Sequence, residues 1–342
     1  MTDFWKNFNG PVFSLAPMED VTDTVFRETV MTMTSPGNLH VMMTEFSSVE
    51  GLNHPVGRKR VAERLVVNDS ERKLLKELNI KLVAQIWGLN PEIYHNVSRW
   101  ITEEYDFDGI DINMGCPVKK VVKMGACSAL IDQPDRAAEI IHAVKSATHL
   151  PVSVKTRTGI SRHDTERWIP FLLQQDPAAV ILHGRTQRMQ SEGEADWAQM
   201  ALAVRLRNDM GLKTPIHGNG DILSMAQGLE KVTETGVDGI MVGRGIFHNP
   251  WFFSPEKTMA TMEERIEKLL FHTRLFESTW QGKKNFNILK RFYKIYLNSF
   301  PGAAHMRAEI METNNYEEVY AYFQSTDCTP ARKTRSGGDY TD

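Results

Sequence analysis

Cys116 is the residue of this sequence best placed to act as an acid or a nucleophile. It follows Gly115 and precedes Pro117, so its thiol lies on a rigid turn. A cysteine thiol with the ordinary pKa of about 8.5 is mostly protonated at neutral pH, and both roles are open to it. Cys127 leads into an apolar segment, where a small buried side chain is expected, and Cys328 lies near the end of the chain.

Lys155 and His183 are the next candidates. The two-residue period of a strand puts Lys155, in the run VSVKTR, on one face with Ser153 and Arg157. A lysine on such a polar face either stabilises negative charge on a reduced flavin or forms a Schiff base as in an aldolase, and the pattern leaves both open. His183 ends another apolar run, where we expect its ring to donate a hydrogen bond to a cofactor carbonyl.

Two glycine-rich turns, GNGD at 218–221 and GRG at 243–245, indicate a site for an anion. Glycines expose backbone N–H groups because no Cβ stands in the way, and the guanidinium of Arg244 can pair with a phosphate through two hydrogen bonds. We therefore expect a bound phosphomonoester. No metal is expected, since no His-x-x-x-His, Cys-x-x-Cys or carboxylate cluster has the spacing of ligands.

Alternation of short apolar runs with helical segments predicts the elements that position these side chains. Eight runs have the composition of strands, at 12–18, 40–46, 80–88, 109–115, 151–159, 178–185, 215–221 and 239–245. Helical spacing is clearest at 90–105, 135–148, 164–175, 197–208 and 223–235. This order predicts an α/β fold, a (β/α)8 TIM barrel over 11–250, with its chemistry at the C-terminal ends of the strands. Residues 47–79 lack a single clean helix and are expected to hold an insertion.

After residue 250 the strand pattern stops. Helices are predicted at 262–277, 286–300, 303–311 and 316–323, which together make a small C-terminal helical domain over 256–324. The tail at 325–342 is polar and rich in Gly, Ser and Thr, so we expect it to be disordered.

The composition is that of an ordinary soluble globular protein, with 342 residues of which 41% are apolar and 24% charged. No stretch reaches the ~18 uninterrupted apolar residues of a membrane span, and residues 1–12 lack the pattern of a secretory signal. Three cysteines are too few for a disulfide framework, so the cytoplasm is the expected compartment. The formal net charge of −3 argues against a wholly basic nucleic-acid-binding surface but leaves room for a local one.

Taken in order, these segments resemble the tRNA-dihydrouridine synthases, flavoenzymes that reduce specific uridines in tRNA. The resemblance rests on LAPMEDVTDTVFR (15–27), QIWG (85–88), DINMGCPVKKVVKMGACSALI (111–131), VSVKTRTG (152–159), LHGRTQ (182–187), HGNGDI (217–222), VGRGIFHNPW (242–251) and FPGAAHMR (300–307). It covers the barrel nearly end to end, and the combination of NMGCP, GNGD and GRG in this order is specific.

The resemblance implies an FMN-dependent oxidoreductase in which NADPH reduces FMN, hydride passes to C6 of uracil, and Cys116 protonates C5. Its pattern would place these residues against FMN: Pro17, Met18, Glu19, Gln85, Lys155 and His183 at the ring, and Asn219, Gly220, Asp221, Gly243 and Arg244 at the phosphate. Asn113 and Arg157 match positions that face the target uracil, which must be swung out of the stacked D-loop region of tRNA. The acidic pair in PMED leaves open whether Glu19 contacts the flavin by its side chain or only by its backbone.

The basic segment, defined here as residues 281–307, is expected to hold the tRNA. It contains six Lys or Arg residues and no Asp or Glu. On a single helix over 286–300, Lys283, Lys290 and Lys294 would fall along one flank of the apolar stripe and contact phosphates. Three further lysines follow Cys116, at positions 119, 120 and 123.

Three other functions stay open at this stage. The first is an FMN-dependent barrel dehydrogenase for a small molecule such as dihydroorotate, which would need no basic helical domain. The second is a Schiff-base aldolase that uses Lys155 and is colourless. The third is an RNA-binding chaperone with a vestigial barrel. No obligate protein partner is expected in any of them.

Overall fold

The computed structural model describes residues 3–257 and 259–326. Its centre is a closed barrel of parallel strands. The strands are β1 (Val12–Leu15), β2 (Val41–Met43), β3 (Ser47–Ser48), β4 (Lys81–Trp87), β5 (Gly109–Met114), β6 (Val152–Arg157), β7 (Val180–His183), β8 (Ile216–Asn219) and β9 (Gly239–Val242). The two-residue β3 pairs only with the end of β4, so the barrel itself has eight strands and the predicted TIM barrel is confirmed.

The barrel interior is apolar at the N-terminal ends of the strands and polar at their C-terminal ends. Its apolar part is a cluster of buried side chains: Phe4, Trp5, Val12, Ala16, Val41, Met43, Val83, Ala179, Ile181 and Met241. Phe4 and Trp5 come from a short 3-10 helix, Phe4–Lys6, so the barrel core begins earlier in the chain than residue 11. The polar residues predicted from strand alternation lie above this cluster.

Helices pack around the barrel, among them the five that the sequence predicts, which are α5, α7, α8, α9 and α10 in the list that follows. The observed helices are α1 (Thr24–Met31), α2 (Val49–Asn53), α3 (Gly57–Val61), α4 (Asp69–Glu77), α5 (Pro91–Glu104), α6 (Lys119–Lys123), α7 (Pro134–Ala147), α8 (Thr165–Gln174), α9 (Trp197–Asp209), α10 (Met225–Thr235) and α11 (Gly245–His248). Local chemistry sets their ends. Asn90, for example, accepts a hydrogen bond from the Glu92 backbone N–H, with Pro91 in the first turn of α5.

The stretch 47–79 is the insertion expected from its irregular pattern. It holds β3, α2, α3, a 3-10 helix over Ala62–Leu65, and α4. A fully buried ion pair ties it to α1, with Arg27 Nε 2.6 Å from Glu71 Oε1. Because Thr24 also donates to this carboxylate, the charge has the partners that a buried group needs.

A second compact unit follows the barrel, and the division falls between Pro255 and Glu256. Its described helices are α12 (Met262–Trp280), α13 (Asn287–Lys290), α14 (Tyr293–Tyr296), α15 (Ala303–Met311) and α16 (Tyr316–Ser325). Thr261 and Glu264 form a capping box that starts α12. Of the tail expected to be disordered, residues 327–342 lie outside the described part of the chain. No helix among the described residues is long and apolar enough to cross a membrane.

The single helix predicted over 286–300 is wrong. Two short helices, α13 and α14, stand there instead. The amides of Leu289, Phe292 and Ile295 each bond the carbonyl three residues earlier, at 2.9–3.0 Å. Apolar residues at 286, 289, 292 and 295 recur every three positions, which suits these tighter turns. Leu289, Phe292 and Ile295 are buried, and Phe286 is partly buried.

Candidate active site

A cleft of about 420 Å³ opens at the C-terminal ends of the barrel strands. Loops after β1, β5, β6, β7, β8 and β9 line it. Ten residues predicted for the site are among the lining: Pro17, Met18, Lys155, Arg157, His183, Asn219, Gly220, Asp221, Gly243 and Arg244. Glu19, Gln85, Asn113 and Cys116 lie outside this lining, although Gly115, which precedes the cysteine, is part of it.

Lys155 and His183 lie close together in a cationic part of the cleft. Lys155 Nζ donates a hydrogen bond to Asn219 Oδ1 at 3.1 Å. Burial and the neighbouring Arg157 lower the pKa of Lys155 to about 8. Burial and the surrounding cations hold the pKa of His183 well below its ordinary value, so the ring is neutral. Its Nδ1 is buried and has no hydrogen-bond partner in the described chain.

The loops after β8 and β9, where an anion site is predicted, both line the cleft. Gly220 has φ +135°, and a Cβ there would lie 2.4 Å from the Ala195 Cβ, so only glycine fits. A Cβ on Gly243 would have no neighbour nearer than 3.7 Å, which leaves its backbone open to the cleft. The side chain of Arg244 is 58% exposed at the rim. An anion can therefore approach both backbones and the guanidinium.

The Asp221 carboxylate faces arginine rather than the open cleft. Its oxygens lie 2.8 and 2.6 Å from Arg185 Nη2, and one accepts the Ala195 N–H at 2.7 Å. Arg244 Nη2 lies 3.5 Å away. Since a carboxylate repels a phosphate, the side chain of Asp221 can orient Arg244, and only its backbone N–H is suited to contact the anion.

Cys116 is held at the rim of the cleft by its backbone. Its N–H donates to Asn113 Oδ1 at 2.9 Å, and its carbonyl accepts from Ser128 Oγ at 2.9 Å. The thiol of Cys127 and the Val118 N–H both donate to its sulfur, and the first of these is the main cause that lowers the Cys116 pKa to about 7. Cys127 is buried as expected, but it also contacts the reactive candidate, which its sequence context did not predict.

A buried chain of hydrogen bonds joins Cys116 to the barrel interior. Gln85 donates from Nε2 to Asp111 Oδ2 at 2.7 Å, and Asn113 donates from Nδ2 to Gln85 Oε1 at 3.1 Å. Asp111 also accepts from Ser153 Oγ at 2.6 Å. The sequence reasoning missed Asp111. The sequence did contain a signal for it, a charged residue inside an apolar strand. Asp111 lies two positions before Asn113, and residues two apart in a strand point to the same face of the sheet.

Arg157 connects two loops at the cleft. Its Nε donates to the Gly115 carbonyl at 2.7 Å, and its Nη1 donates to the carbonyls of Thr186 and Gln190 at 2.9 and 2.7 Å. Burial lowers its pKa to about 10, so it stays charged at neutral pH. Within the described chain, Nη2 of Arg157 donates no hydrogen bond, so a substrate can still use this nitrogen.

The Glu19 side chain forms an ion pair with the insertion and is not part of the cleft lining. Its Oε1 lies 2.7 Å from Arg64 Nη2 of the insertion, and 44% of the side chain is exposed. Of the two ways in which Glu19 was expected to contact a flavin, this geometry favours the backbone.

Three lysines of the second unit were expected to contact phosphates, and two of them are exposed. Lys283 and Lys294 are exposed. Lys290 is only 8% exposed, and its Nζ donates to the Met311 carbonyl at 2.6 Å. The prediction that Lys290 lies on a phosphate-contacting face is wrong. The helix α13 ends at Lys290, and the side chain reaches the C-terminal end of α15, where a cation satisfies a free carbonyl.

A closed parallel barrel with a cationic cleft at the C-terminal ends of its strands is typical of (β/α)8-barrel enzymes with phosphate-bearing ligands. In the described chain, no group of three or more His, Cys, Asp or Glu residues is arranged to hold a metal ion. The family model for dihydrouridine synthase (Dus) matches residues 14–331. The chain therefore belongs to the tRNA-dihydrouridine synthase family.

Individual relatives support the same assignment. "Probable tRNA-dihydrouridine synthase" of Staphylococcus aureus (strain COL) is 40% identical over 321 residues, which cover 93% of this chain and 94% of the relative. "Probable tRNA-dihydrouridine synthase" of Staphylococcus epidermidis (strain RP62A) is 41% identical over 319 residues, covering 93% and 94%. "Probable tRNA-dihydrouridine synthase 2" of Bacillus subtilis (strain 168) is 40% identical over 321 residues, covering 93% and 95%.

Proposed function

We propose that this chain is a tRNA-dihydrouridine synthase that reduces the 5,6 double bond of D-loop uridines, with FMN as cofactor and NADPH as reductant. The observation that carries the proposal is its similarity to tRNA-dihydrouridine synthases over 93% of its length. The cationic cleft and the thiol at its rim agree with that chemistry. The cytoplasm stays the predicted compartment, because tRNA is found there.

The residues of the cleft fit FMN. Gly220, Gly243 and Arg244 offer backbone and guanidinium donors to a phosphate at one end of the cleft. Lys155 supplies a positive charge in the middle, where negative charge on a reduced flavin would be stabilised. The buried Nδ1 of His183 lacks a partner, so a ligand in the cleft could satisfy it. When bound and reduced by NADPH, FMN supplies the hydride that passes to C6 of uracil.

Cys116 supplies the proton that completes the reduction at C5 of uracil. A general acid works best when its pKa lies near the working pH, and hydrogen bonds to its sulfur lower the pKa of Cys116 to about 7. The turn that carries it is fixed on both sides, by Asn113 and by Ser128. A fixed thiol is presented to one face of a base without the cost of ordering a flexible loop.

The uracil would be recognised by groups that surround the thiol. Arg157 has Nη2 left for a carbonyl of the base, while its other donors hold the loops in place. The second N–H of the Asn113 amide is the group through which that residue could bond the Watson–Crick edge. Because a base in a folded tRNA is stacked on its neighbours, the target nucleotide must leave its stack to enter the cleft.

Positive charge outside the cleft would hold the tRNA phosphates. Lys283 and Lys294 of the second unit are exposed, as are Lys119, Lys120 and Lys123 of the segment after Cys116. This makes the second unit a tRNA-binding domain in the proposal and the barrel the FMN-binding catalytic domain. Affinity that depends on such contacts falls as salt rises.

The decisive experiment incubates the purified protein with NADPH and an unmodified tRNA transcript and measures dihydrouridine by mass spectrometry. We expect dihydrouridine in the D-loop, a yellow protein, and a Cys116→Ala variant in which NADPH still reduces the flavin while reoxidation by tRNA slows by about 10²–10⁴-fold. A yellow protein that ignores tRNA but oxidises dihydroorotate would favour the small-molecule dehydrogenase. A colourless protein trapped by borohydride with its substrate would favour the aldolase, and a colourless protein that only binds RNA would favour the chaperone.

A further inference from the structure

A row of polar side chains crosses three neighbouring strands inside the barrel. Gln85 of β4 is the register partner of Asp111 of β5, and Asp111 is the partner of Ser153 of β6. All three side chains are buried. Partners in a parallel sheet present their side chains on the same face, so Gln85 and Ser153 both reach the same carboxylate.

The carboxylate at the inner end and two backbone N–H groups at the outer end together fix the direction of the hydrogen bonds between them. An ionised carboxylate only accepts hydrogen bonds, so Gln85 must turn its NH2 group to Asp111 and its Oε1 to Asn113. Asn113 must then turn its own NH2 group to Gln85 and its Oδ1 to the loop. That oxygen is the acceptor for the N–H groups of Gly115 and Cys116, at 3.0 and 2.9 Å.

We propose that Asp111 is a positioning residue for Cys116, acting through the amide side chains of Gln85 and Asn113. Without a pure acceptor at the inner end, Gln85 can turn its NH2 group towards the NH2 group of Asn113. That contact between two donors would displace the Asn113 amide from the loop. The turn at 115–117 would then lose the contacts that fix the thiol. Asp111 is not part of the cleft lining, and none of its hydrogen bonds within the described chain goes to Cys116, so it reaches the thiol through the two amides. Its charge also raises the pKa of Lys155 in the cleft, which is why the test follows the Cys116 thiol and not activity alone.

The consequence for the reaction rests on the proposed function, whereas the consequence for the thiol does not. In the native turn, the sulfur of Cys116 accepts hydrogen bonds from the Val118 N–H and the Cys127 thiol. A loosened turn weakens both contacts, which favours the protonated thiol and slows its alkylation near neutral pH.

The test uses Asp111→Asn, which keeps the size of the side chain but gives it a donor. The holoenzyme is alkylated with iodoacetamide between pH 5.5 and 9.5, and the Cys116 peptide is quantified by mass spectrometry. We expect the midpoint of alkylation to rise by half a pH unit or more relative to the native protein. In parallel, reoxidation of the flavin by tRNA should slow about tenfold or more, while reduction by NADPH changes less than twofold.

Ser153→Ala is the matched control. It removes the other hydrogen bond to Asp111 but leaves the carboxylate and the order of the two amides intact, so the midpoint should stay at the native value. In the double variant Gln85→Glu/Asp111→Asn, the pure acceptor stands at position 85 instead of 111 and accepts the hydrogen bond from Asn113. The midpoint of Cys116 alkylation should therefore return towards the native value. It also serves if Asp111→Asn alone does not fold.

Two results would overturn the proposal. One is a native midpoint in Asp111→Asn, since the turn would then not depend on the carboxylate. The other is an equal shift in Asp111→Asn and Ser153→Ala, which would indicate a general loosening of the barrel. Failure of the native protein to reduce tRNA would contradict the proposed function instead, because alkylation is measured without tRNA.

Discussion

At the scale of single residues, the contact between Cys127 and Cys116 gives a test with a defined sign. The Cys127 thiol donates a hydrogen bond that favours the Cys116 thiolate. Replacing Cys127 with Ala removes that donor, so the pKa of Cys116 should rise from about 7 towards its ordinary value. An acid works only while protonated. The pH at which the tRNA-dependent step falls away should therefore move upward.

The measurement is the rate of flavin reoxidation by tRNA between pH 6 and 9 in the native protein and in Cys127→Ala. Ala129→Ser, a substitution of similar size two residues further on, is the control. An unchanged profile in Cys127→Ala would show that the second thiol only fills space, as the sequence alone suggested.

Arg244 provides a second test at this scale. The residue is 58% exposed and its nearest charged partner, Asp221, is 3.5 Å away, so its removal leaves no buried group unpaired. Arg244→Ala should weaken FMN binding by about 10–100-fold, the loss of a charge-assisted hydrogen bond, while the thermal midpoint of the apoprotein stays within a few degrees. Fluorescence titration of the apoprotein with FMN measures the affinity. The control is Arg205→Ala, at an exposed position on α9, and this variant should bind FMN with native affinity.

Individual residues differ in how far the sequence could specify them. Lys155 and His183 were predicted because strand ends converge at one edge of a barrel whatever the side chains do. The directions of the Asn113 and Asp221 side chains were not predictable, since each is decided by partners on other strands, such as Gln85 and Arg185. Residue types and periodicity do not encode which partner a flexible polar group takes.

At the scale of elements, the basic segment 281–307 shows how a break in a helix redistributes charge. An α-helix over 286–300 would align Lys290 with Lys294, whereas the observed short turns bury Lys290 against α15 and leave Lys294 exposed. The sequence established that this segment is helical and basic. It did not establish the break between α13 and α14, because the apolar residues fit periods of both three and 3.6 until the neighbouring helix is known.

The expected effect on tRNA binding follows from these positions. Changing both Lys283 and Lys294 to Glu should weaken tRNA binding and lower the slope of log affinity against log salt by up to about two phosphates' worth, with normal flavin content. The control Lys76→Glu/Lys213→Glu makes the same change of charge at exposed positions that precede β4 and β8, by the N-terminal ends of the barrel strands. It should leave the slope unaltered. Filter binding between 50 and 300 mM salt distinguishes the two. Equal slopes would direct the RNA path to Lys119 and Lys120 instead.

At the scale of the whole barrel, stability and chemistry are placed at opposite ends. The polar residues of the site occupy the C-terminal ends of the strands, and the N-terminal ends are closed by an apolar cluster to which Phe4 and Trp5 contribute. Trp5 is 3% exposed and stands edge-on to the buried His217 ring, with the ring centres 5.1 Å apart. The first residues of the chain, which matched no motif, therefore complete the core.

This separation predicts a variant that loses stability and keeps its site. Trp5→Ala should destabilise the barrel by about 3–5 kcal/mol, the usual cost of removing a large buried aromatic side chain, because the apolar cluster loses its cover. The thermal midpoint should fall by several degrees, whereas FMN affinity and the alkylation profile of Cys116 at 25 °C should stay native. Trp100 on α5 is only partly buried, so Trp100→Ala should destabilise the barrel less than Trp5→Ala does. If Trp5→Ala instead released FMN or altered Cys116 while the barrel stayed folded, the two ends would be coupled, and the apolar cluster would have to be counted as part of the support of the active site.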